Sequence, residues 1–422
     1  MGAPNPRPLL RIPYTTALPP PTIIPASAAT LAGAVDALVE FLTATLPFSA
    51  SSSPPSEGKG KTLILTGAGL STPSGLADYR GPKGTYMVNT TYKPIYYHEF
   101  CASHEARKRY WARSFLGWPV MERARANGAH RAVGELVKGG WVEGVVTQNV
   151  DSLHTHTLPS SSPTPLINLH GTLSTLTCLT CASSLPRTTF QQTLTSLNPT
   201  WTTFQQTLQT TGALSTESPS ERAAKGLRTN PDGDVDVPGL SYTSFRYPAC
   251  PTCVSSKNAD VKTDNEGAWI LPEPIYPTPD PASSSSALSS SSATTTALSP
   301  KSPDAHTTPP LPGILKPSVI MFGESIPGPV KQAAERLVDS SARLLVVGTS
   351  LATYSAWRLV KRARDQGKPI AVVNMGGVRG EEALFGSVCE EDGGVVEGAV
   401  RCSLPAEEVL PALVKALEGR AR

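Results

Sequence analysis

No stretch of 18 consecutive apolar residues occurs in this chain, which removes a membrane-spanning helix from consideration. A strong excess of one charge is missing too. The 37 basic and 34 acidic residues leave a net charge of +3 over 422 residues, too near balance to argue for a nucleic acid or an anionic membrane as partner. Cysteine is scarce, seven residues in all, too few and too unevenly spaced for a disulfide framework in a chain of this length. One glycine is also missing where it would be informative. The apolar run Leu63-Ile64-Leu65 leads into Thr66-Gly67-Ala68-Gly69-Leu70-Ser71-Thr72-Pro73-Ser74-Gly75, a strand ending in a glycine-rich turn that presents backbone N–H groups to a phosphate. In the G-x-G-x-x-G turn of hydride-transfer enzymes a third glycine follows the second by three residues. Here that position is Thr72, and the next glycine is Gly75. A nucleotide-like ligand is expected, held otherwise than by the standard dehydrogenase turn.

Proline is abundant. Its 41 residues are about a tenth of the chain, against a usual ~5%, so part of the length is not core. Acidic residues are absent before Asp36, and Arg7 and Arg11 lie in that stretch. An acid-free, arginine-bearing start suits an organelle transit segment. The prolines at 4, 6, 8 and 13 work against an amphipathic helix there, and a disordered Pro-rich N-terminus accounts for the same composition.

A helix is expected over about 30–43, with Leu31, Val35, Leu38, Val39 and Leu42 on one face, and a Ser/Pro/Gly/Lys-rich linker over 47–60. Strand candidates are 62–66, 142–147, 166–169, 318–322, 343–348 and 369–373. Leu344-Leu345-Val346-Val347 and Ile370-Ala371-Val372-Val373 are continuous apolar runs, which suit a parallel sheet covered on both faces. Helical spacing recurs over 329–341 and 351–366. Strands alternating with helices predict a doubly wound α/β sheet with its ligand at the carboxyl ends of the strands. Residues 183–249 read as irregular. Within them Thr188-Thr189-Phe190-Gln191-Gln192-Thr193-Leu194 recurs at 202–208, a small local duplication. Residues 282–299 carry no charge, inside a Pro-rich span of about 272–317, and read as a disordered insertion.

The strongest metal signal is the pair Cys178-x-x-Cys181 and Cys250-x-x-Cys253. Four thiolates complete a tetrahedral zinc and leave no open position, so the role is structural; redox-active or incidental thiols are the alternative. Thr147-Gln148-Asn149-Val150-Asp151 follows an expected strand, where such sheets bind ligands, although Asn and Asp there serve equally as helix caps. His170-Gly171 ends another strand, and a histidine there titrates in the range useful for proton transfer. Gly348-Thr349-Ser350 ends a strand and opens a helix, with Ser350 as a ligand contact or an N-cap. Asn374, with donor and acceptor, suits sugar hydroxyls or an adenine edge.

In this order and spacing the segments resemble the sirtuins, NAD-dependent protein lysine deacylases. The carriers are Gly67-Ala68-Gly69-Leu70-Ser71-Thr72 with Asp78-Tyr79-Arg80, Thr147-Gln148-Asn149-Val150-Asp151, His170-Gly171, the cysteine pairs, Phe322-Gly323-Glu324, Gly348-Thr349-Ser350 and Val373-Asn374. Arg109-Tyr110-Trp111-Ala112-Arg113, Gly117-Trp118-Pro119, Leu197-Asn198-Pro199-Thr200-Trp201 and Asn230-Pro231-Asp232-Gly233-Asp234-Val235 resemble the class II, mitochondrial-type branch. Leu76-Ala77 stands where the family commonly has Ile-Pro, and the Ser/Pro-rich insertion after Cys253 is a larger departure.

The resemblance implies that NAD is a consumed co-substrate. Nicotinamide leaves, the acyl oxygen captures the ribose carbon, and His170 as base deprotonates a ribose hydroxyl, giving acyl-ADP-ribose and free lysine. Asn149, Val150 and Asp151 would orient the ribose and nicotinamide side, and Gln148 the adjacent ribose. The loop from Gly67 to Tyr86, with Asp78, Tyr79 and Arg80, would hold the pyrophosphate. Gly348, Thr349, Ser350, Asn374, Met375, Gly376 and the Cys402 backbone would meet the adenosine half, and Phe322, Gly323 and Glu324 would line the acyl-lysine channel. The same resemblance divides the chain into an N-terminal extension (1–55), a Rossmann-like NAD domain (56–172 and 315–405, with a helical part at 85–140), a zinc-binding module (173–271), the insertion (272–314) and a C-terminal helix (406–422). It implies one structural zinc, acyl-lysine proteins as partners, and the mitochondrial matrix as compartment, with nucleus or cytoplasm as the alternative. A mono-ADP-ribosyltransferase on the same scaffold and a silent NAD-binding module are the competing readings.

Overall fold

The structure, a computed structural model, describes residues 18–44, 62–88, 93–159, 164–216, 218–225, 227–229, 235–236, 240–256, 261–271, 312–386 and 398–420. Most of the expected insertion, residues 1–17 of the expected transit segment and the 47–60 linker lie outside the described residues. In chain order the strands are β1 (Thr62–Thr66), β2 (Val142–Thr147), β3 (Leu166–Asn168), β4 (Gly171–Cys178), β5 (Ser184–Pro186), β6 (Arg228–Thr229), β7 (Val235–Asp236), β8 (Leu315–Val319), β9 (Arg343–Val347), β10 (Ile370–Val373) and β11 (Val400–Cys402).

Six strands form one parallel sheet in the order β11-β10-β9-β1-β2-β3. The apolar runs alternate between two covered faces. Ile64, Val145, Leu345, Val347, Ala371 and Val373 pack with the helices Leu31–Thr43, Gly128–Lys138 and Ala406–Arg420. Leu63, Leu65, Val146, Leu344, Val346, Ile370 and Val372 pack with the helices Gly328–Ser340 and Tyr354–Asp365. Each fully buried Val or Leu is worth roughly 1.5–3 kcal/mol, and because both faces are apolar the sequence runs are continuous rather than alternating.

Polar residues fix the helix ends. Asn127 accepts from the backbone N–H of Ala129 and His130 at the start of Gly128–Lys138, and its amide donates to Leu70 O and Ser74 Oγ in the glycine loop. The buried Arg343 guanidinium donates to the carbonyls of Phe41 and Ala44, where Leu31–Thr43 ends and its last acceptors lack helical partners.

The second core is smaller. It surrounds the antiparallel sheet β5-β4-β8 and the helices His104–Arg123, Arg187–Leu197 and Pro199–Thr211. Two expectations are corrected here. The strand expected over 318–322 is Leu315–Val319 and pairs antiparallel with β4. A short apolar run does not by itself separate a core strand from a connector, and the remainder of this run turns away at Gly323, whose φ is 81°. The stretch read as irregular contains two threonine-rich helices. Thr193, Thr195, Thr203, Thr207 and Thr210 donate their hydroxyls to carbonyls four residues back, which accommodates a residue of weak helix propensity.

The duplicated segment falls at equivalent positions on these two helices. Gln191 and Gln205 both donate to Phe115 O. That carbonyl needs outside donors because the residue four positions on is Pro119, which has no N–H to complete the helical bond. Beside the cysteines, Trp269 Nε1 donates to Pro312 O at 3.0 Å and Cys250 N to Gly313 O at 2.8 Å, so the two ends of the segment between them are fastened at one place.

Candidate active site

The parallel register aligns the strand ends. Thr66 pairs with Thr147 and Val347, Thr147 with Asn168, and Val373 with Val347 and Cys402. Gly67, Gln148, Gly348 and Asn374 therefore leave the sheet along one line, with His170 two residues beyond β3. Strand order reverses between β1 and β9, the switch point where open α/β sheets bind ligands.

Glycine works at this junction by allowing backbones to meet. A Cβ on Gly67 would lie 2.5 Å from Thr349 Cβ, and one on Gly69 2.9 Å from Gly348 O. Gly348 has φ 61°, and its Cβ would sit 2.5 Å from Leu70 N. Gly69 N donates to Gly348 O at 2.8 Å, so this amide ties the two loops together and is unavailable to a phosphate. Ala68 opens a short 3-10 turn, Ala68–Leu70, and Thr72 donates to Gly69 O at 3.0 Å. The glycine spacing thus answers to the loop–loop contact.

Asn149 is buried at the same junction. Its amide donates to Gly67 O at 3.1 Å and to Ser71 Oγ at 3.0 Å, and Ser71 donates to Asp151 Oδ2 at 2.7 Å. Asp151 Oδ1 also accepts from Leu153 N at 2.9 Å, a bond that holds the following turn. Val150 O accepts from Leu173 N at 2.9 Å, joining this loop to the one that carries His170. Gln148 spans the switch point: its Nε2 donates to Thr349 Oγ1 at 2.8 Å and its Oε1 accepts from Thr353 Oγ1 at 3.0 Å.

His170 Nδ1 lies 3.1 Å from Gln148 O, and Nε2 lies 2.7 Å from Ser355 Oγ. A carbonyl only accepts, so the proton sits on Nδ1 and the Nε2 lone pair accepts from the Ser355 hydroxyl. Burial pushes this imidazole below the ordinary histidine range, and the Gln148 carbonyl partly opposes that. Such a side chain is neutral near pH 7 and can accept a proton at Nε2.

Asp78, Tyr79, Arg80 and Tyr86 form a turn after the glycine loop. Asp78 Oδ2 accepts from Gly81 N at 3.0 Å, and Tyr86 N donates to Tyr79 O. The Arg80 guanidinium lies 5.3 Å from the Tyr86 ring centroid, and the Tyr79 and Tyr86 centroids are 5.4 Å apart. On the other side Asn374 Nδ2 donates to Met375 O and, at 3.4 Å, to Gly376 O; Asn374 N donates to Cys402 O at 3.3 Å. The Cys402 thiol is buried and pushed up to about 11 by that burial. Met375 is exposed. Ser350 accepts from Arg379 N through its carbonyl, and the next helix begins only at Tyr354 with Thr353 at its N-cap. The reading of Ser350 as N-cap, and of a helix opening directly after it, is thereby corrected: Leu351 at φ 54° turns the chain first.

Phe322, Gly323 and Glu324 do not act alike. Phe322 packs edge-on to Tyr96 with centroids 6.2 Å apart. Glu324 Oε2 accepts from Lys316 Nζ at 3.0 Å and from Met321 N at 2.9 Å, a pair largely shielded from solvent, so its carboxylate braces the loop. A cavity of about 340 Å³ adjoins Asp151 and is lined by Trp118, Met121, Val150, Leu153 and Leu173 among others.

The four cysteines converge. Their Sγ atoms lie within 4.8 Å of one another, with Cys178–Cys253 and Cys181–Cys250 both at 3.7 Å. A tetrahedral Zn–S bond of about 2.3 Å implies S···S edges of about 3.8 Å, and a disulfide is far shorter. The donor set therefore fits one closed tetrahedral zinc. Burial raises the Cys178 and Cys253 thiols, so a bound cation is what would hold them as thiolates.

Sequence reasoning did not single out Ser355, Thr353, His130 or His154. His130 Nε2 lies 3.5 Å from Ser71 Oγ, and His154 Nε2 lies 3.0 Å from Thr66 Oγ1. His154 closes the polar run that follows β2 and carries no expected role; the helix spacing of His130 with Val133, Leu136 and Val137 marks a core face only.

The chain matches the Sir2 family over residues 67–355. It is 37% identical to the NAD-dependent protein deacylase SIR4 of Batrachochytrium dendrobatidis over 76% of this chain and 83% of that protein. It is 32% identical to the NAD-dependent protein deacylase SRT2 of Arabidopsis thaliana over 78% of this chain and 69% of that protein. An NAD-dependent protein deacetylase of Bordetella bronchiseptica is 30% identical over 85% of this chain and 94% of that protein. This protein is a member of the Sir2 family.

Proposed function

We propose that the protein transfers acyl groups from protein lysines to the ADP-ribose part of NAD, releasing nicotinamide. The observation that carries this reading is His170: neutral, with its proton fixed on Nδ1 and its Nε2 lone pair turned to the Ser355 hydroxyl, on a loop tied to the one bearing Asn149 and Asp151. In this reading Nε2 takes a proton from a ribose hydroxyl after acyl capture, worth about 10²–10⁴ in rate. Asn149 and Asp151, joined through Ser71, orient the nicotinamide ribose. Asp78, Tyr79, Arg80 and Tyr86 receive the pyrophosphate, and Ser350 and Asn374 to Gly376 the adenosine half. Phe322 and Gly323 line the acyl-lysine approach. The zinc serves only to hold the smaller module.

The reading extends to the class II, mitochondrial-type branch. Its support is the Arg109–Arg113 and Gly117-Trp118-Pro119 segments together with the acid-free first 35 residues. Incubation of NAD with lysine peptides bearing acetyl, succinyl, lipoyl and longer acyl groups, read by mass spectrometry, tests the activity. Acyl-ADP-ribose and free lysine are expected. A protein carrying ADP-ribose with no peptide deacylated would replace this reading with ADP-ribosyl transfer. Subcellular fractionation with sequencing of the mature N-terminus tests the compartment.

A further inference from the structure

Arg401, on the edge strand β11, is fully buried, and a buried guanidinium is tolerated only when its charge and its five N–H groups are satisfied. Glu381, equally buried, supplies the charge: Arg401 Nε donates to Oε1 at 2.7 Å and Nη2 to Oε2 at 3.4 Å. The other three donors go to carbonyls at the end of the sheet. Nη1 reaches Asn374 O at 3.0 Å and Cys402 O at 2.6 Å, and Nη2 reaches Gly376 O. The guanidinium thus grips both ends of the loop Asn374–Gly376.

The same pair is fastened to a distant part of the chain. Glu381 Oε1 also accepts from Thr22 N at 3.0 Å, and Oε2 from Val378 N at 2.9 Å. Ile24 and Arg401 exchange backbone hydrogen bonds of 3.0 and 2.7 Å. A side chain at Gly377 would run into the Pro19 carbonyl. The segment 19–24 therefore lies directly on the loop that follows β10.

We propose that Arg401 is a positioning residue for the adenosine half of NAD, and that the segment 19–24 is part of that site. This rests on the reading of Asn374 to Gly376 as the adenosine contact. A pair needed only for core stability would not have to direct two donors at this loop. Thr22, Ile24, Glu381 and Arg401 form one hydrogen-bonded unit, so proteolytic processing that removed the chain beyond residue 18 would loosen the dinucleotide site.

The test compares the full chain with Arg401→Lys, a deletion of residues 1–24 and a deletion of residues 1–17. Kinetics with NAD varied at saturating acyl-peptide are paired with calorimetric binding of ADP-ribose. Arg401→Lys keeps the charge on Glu381 and loses the fork, so roughly tenfold weaker ADP-ribose binding and a matching rise in KM for NAD are expected, with kcat and the peptide KM within about twofold. The 1–24 deletion should move the same quantities by about threefold, and the 1–17 deletion should leave them unchanged. Should Arg401→Lys fail to fold, the two deletions decide. ADP-ribose affinity indifferent to the folded variants, or kcat falling with KM unmoved, overturns the positioning role alone. A full chain that binds no ADP-ribose overturns the dinucleotide reading as well.

Discussion

At the carboxyl edge of the six-stranded sheet, side chains and loops are held by close main-chain packing. Gly67, Gly69 and Gly348 let two loops meet, and Asn149, Ser71 and Asp151 close a chain of hydrogen bonds over them. In the smaller module a three-stranded sheet and threonine-rich helices surround four cysteines contributed by segments 69 residues apart. The first region derives its geometry from a large core covered on both faces; the second has a smaller core and the donor set for a metal. Precise placement in a protein thus has two sources, and perturbing each should have a different signature.

The largest effect is expected from the metal. Chelation, or Cys250→Ser, removes binding energy on the order of 10 kcal/mol and should unfold the module, shifting the emission of Trp111, Trp201 and Trp269, all buried there. Activity should fall in step with that shift. Turnover lost while the emission stays put would mean the metal does chemistry. His170→Ala should do the reverse, lowering kcat by more than about 10²-fold with the melting temperature within about 2 °C. A near-normal rate at saturating NAD would remove His170 as base.

Acid should weaken the larger core. Burial lowers His130 to about 4 and His154 to about 3. The unfolded chain binds a proton near pH 6.5 that the folded chain excludes, so this contribution is complete above pH 6.5 and fades as the pH drops toward 4. At pH 5 each imidazole should cost about 2 kcal/mol, read as a fall in melting temperature that His154→Gln reduces; an unchanged pH slope in that variant would count against it. The smallest effect is at the loop junction. Gly67→Ala forces a methyl against Thr349 at about 1–3 kcal/mol and should weaken NAD binding, whereas unaltered melting and binding would show that the loops have slack.

The sheet was legible in the sequence because both of its faces are apolar, so its central strands stand out as uninterrupted runs between turn residues. The site was legible where a residue directly follows a strand, as with Gln148, Gly348 and Asn374. Ser355 and His130 were not, since each enters through a helix whose spacing reports only its buried face. Glu324 shows the converse: its place in a motif was readable, but its partner Lys316 was not, because their pairing depends on how the chain turns after β8. The helices Arg187–Leu197 and Pro199–Thr211 were obscured by threonine, whose propensity gives no hint of the carbonyls its hydroxyls reach.

The clamp formed by Trp269 with Pro312 and by Cys250 with Gly313 has a consequence for the length of chain between residues 271 and 312. Both anchors lie outside that stretch, so residues added to it or removed from it leave the fastening itself intact. The position is a natural port for fusing a foreign domain or an epitope tag.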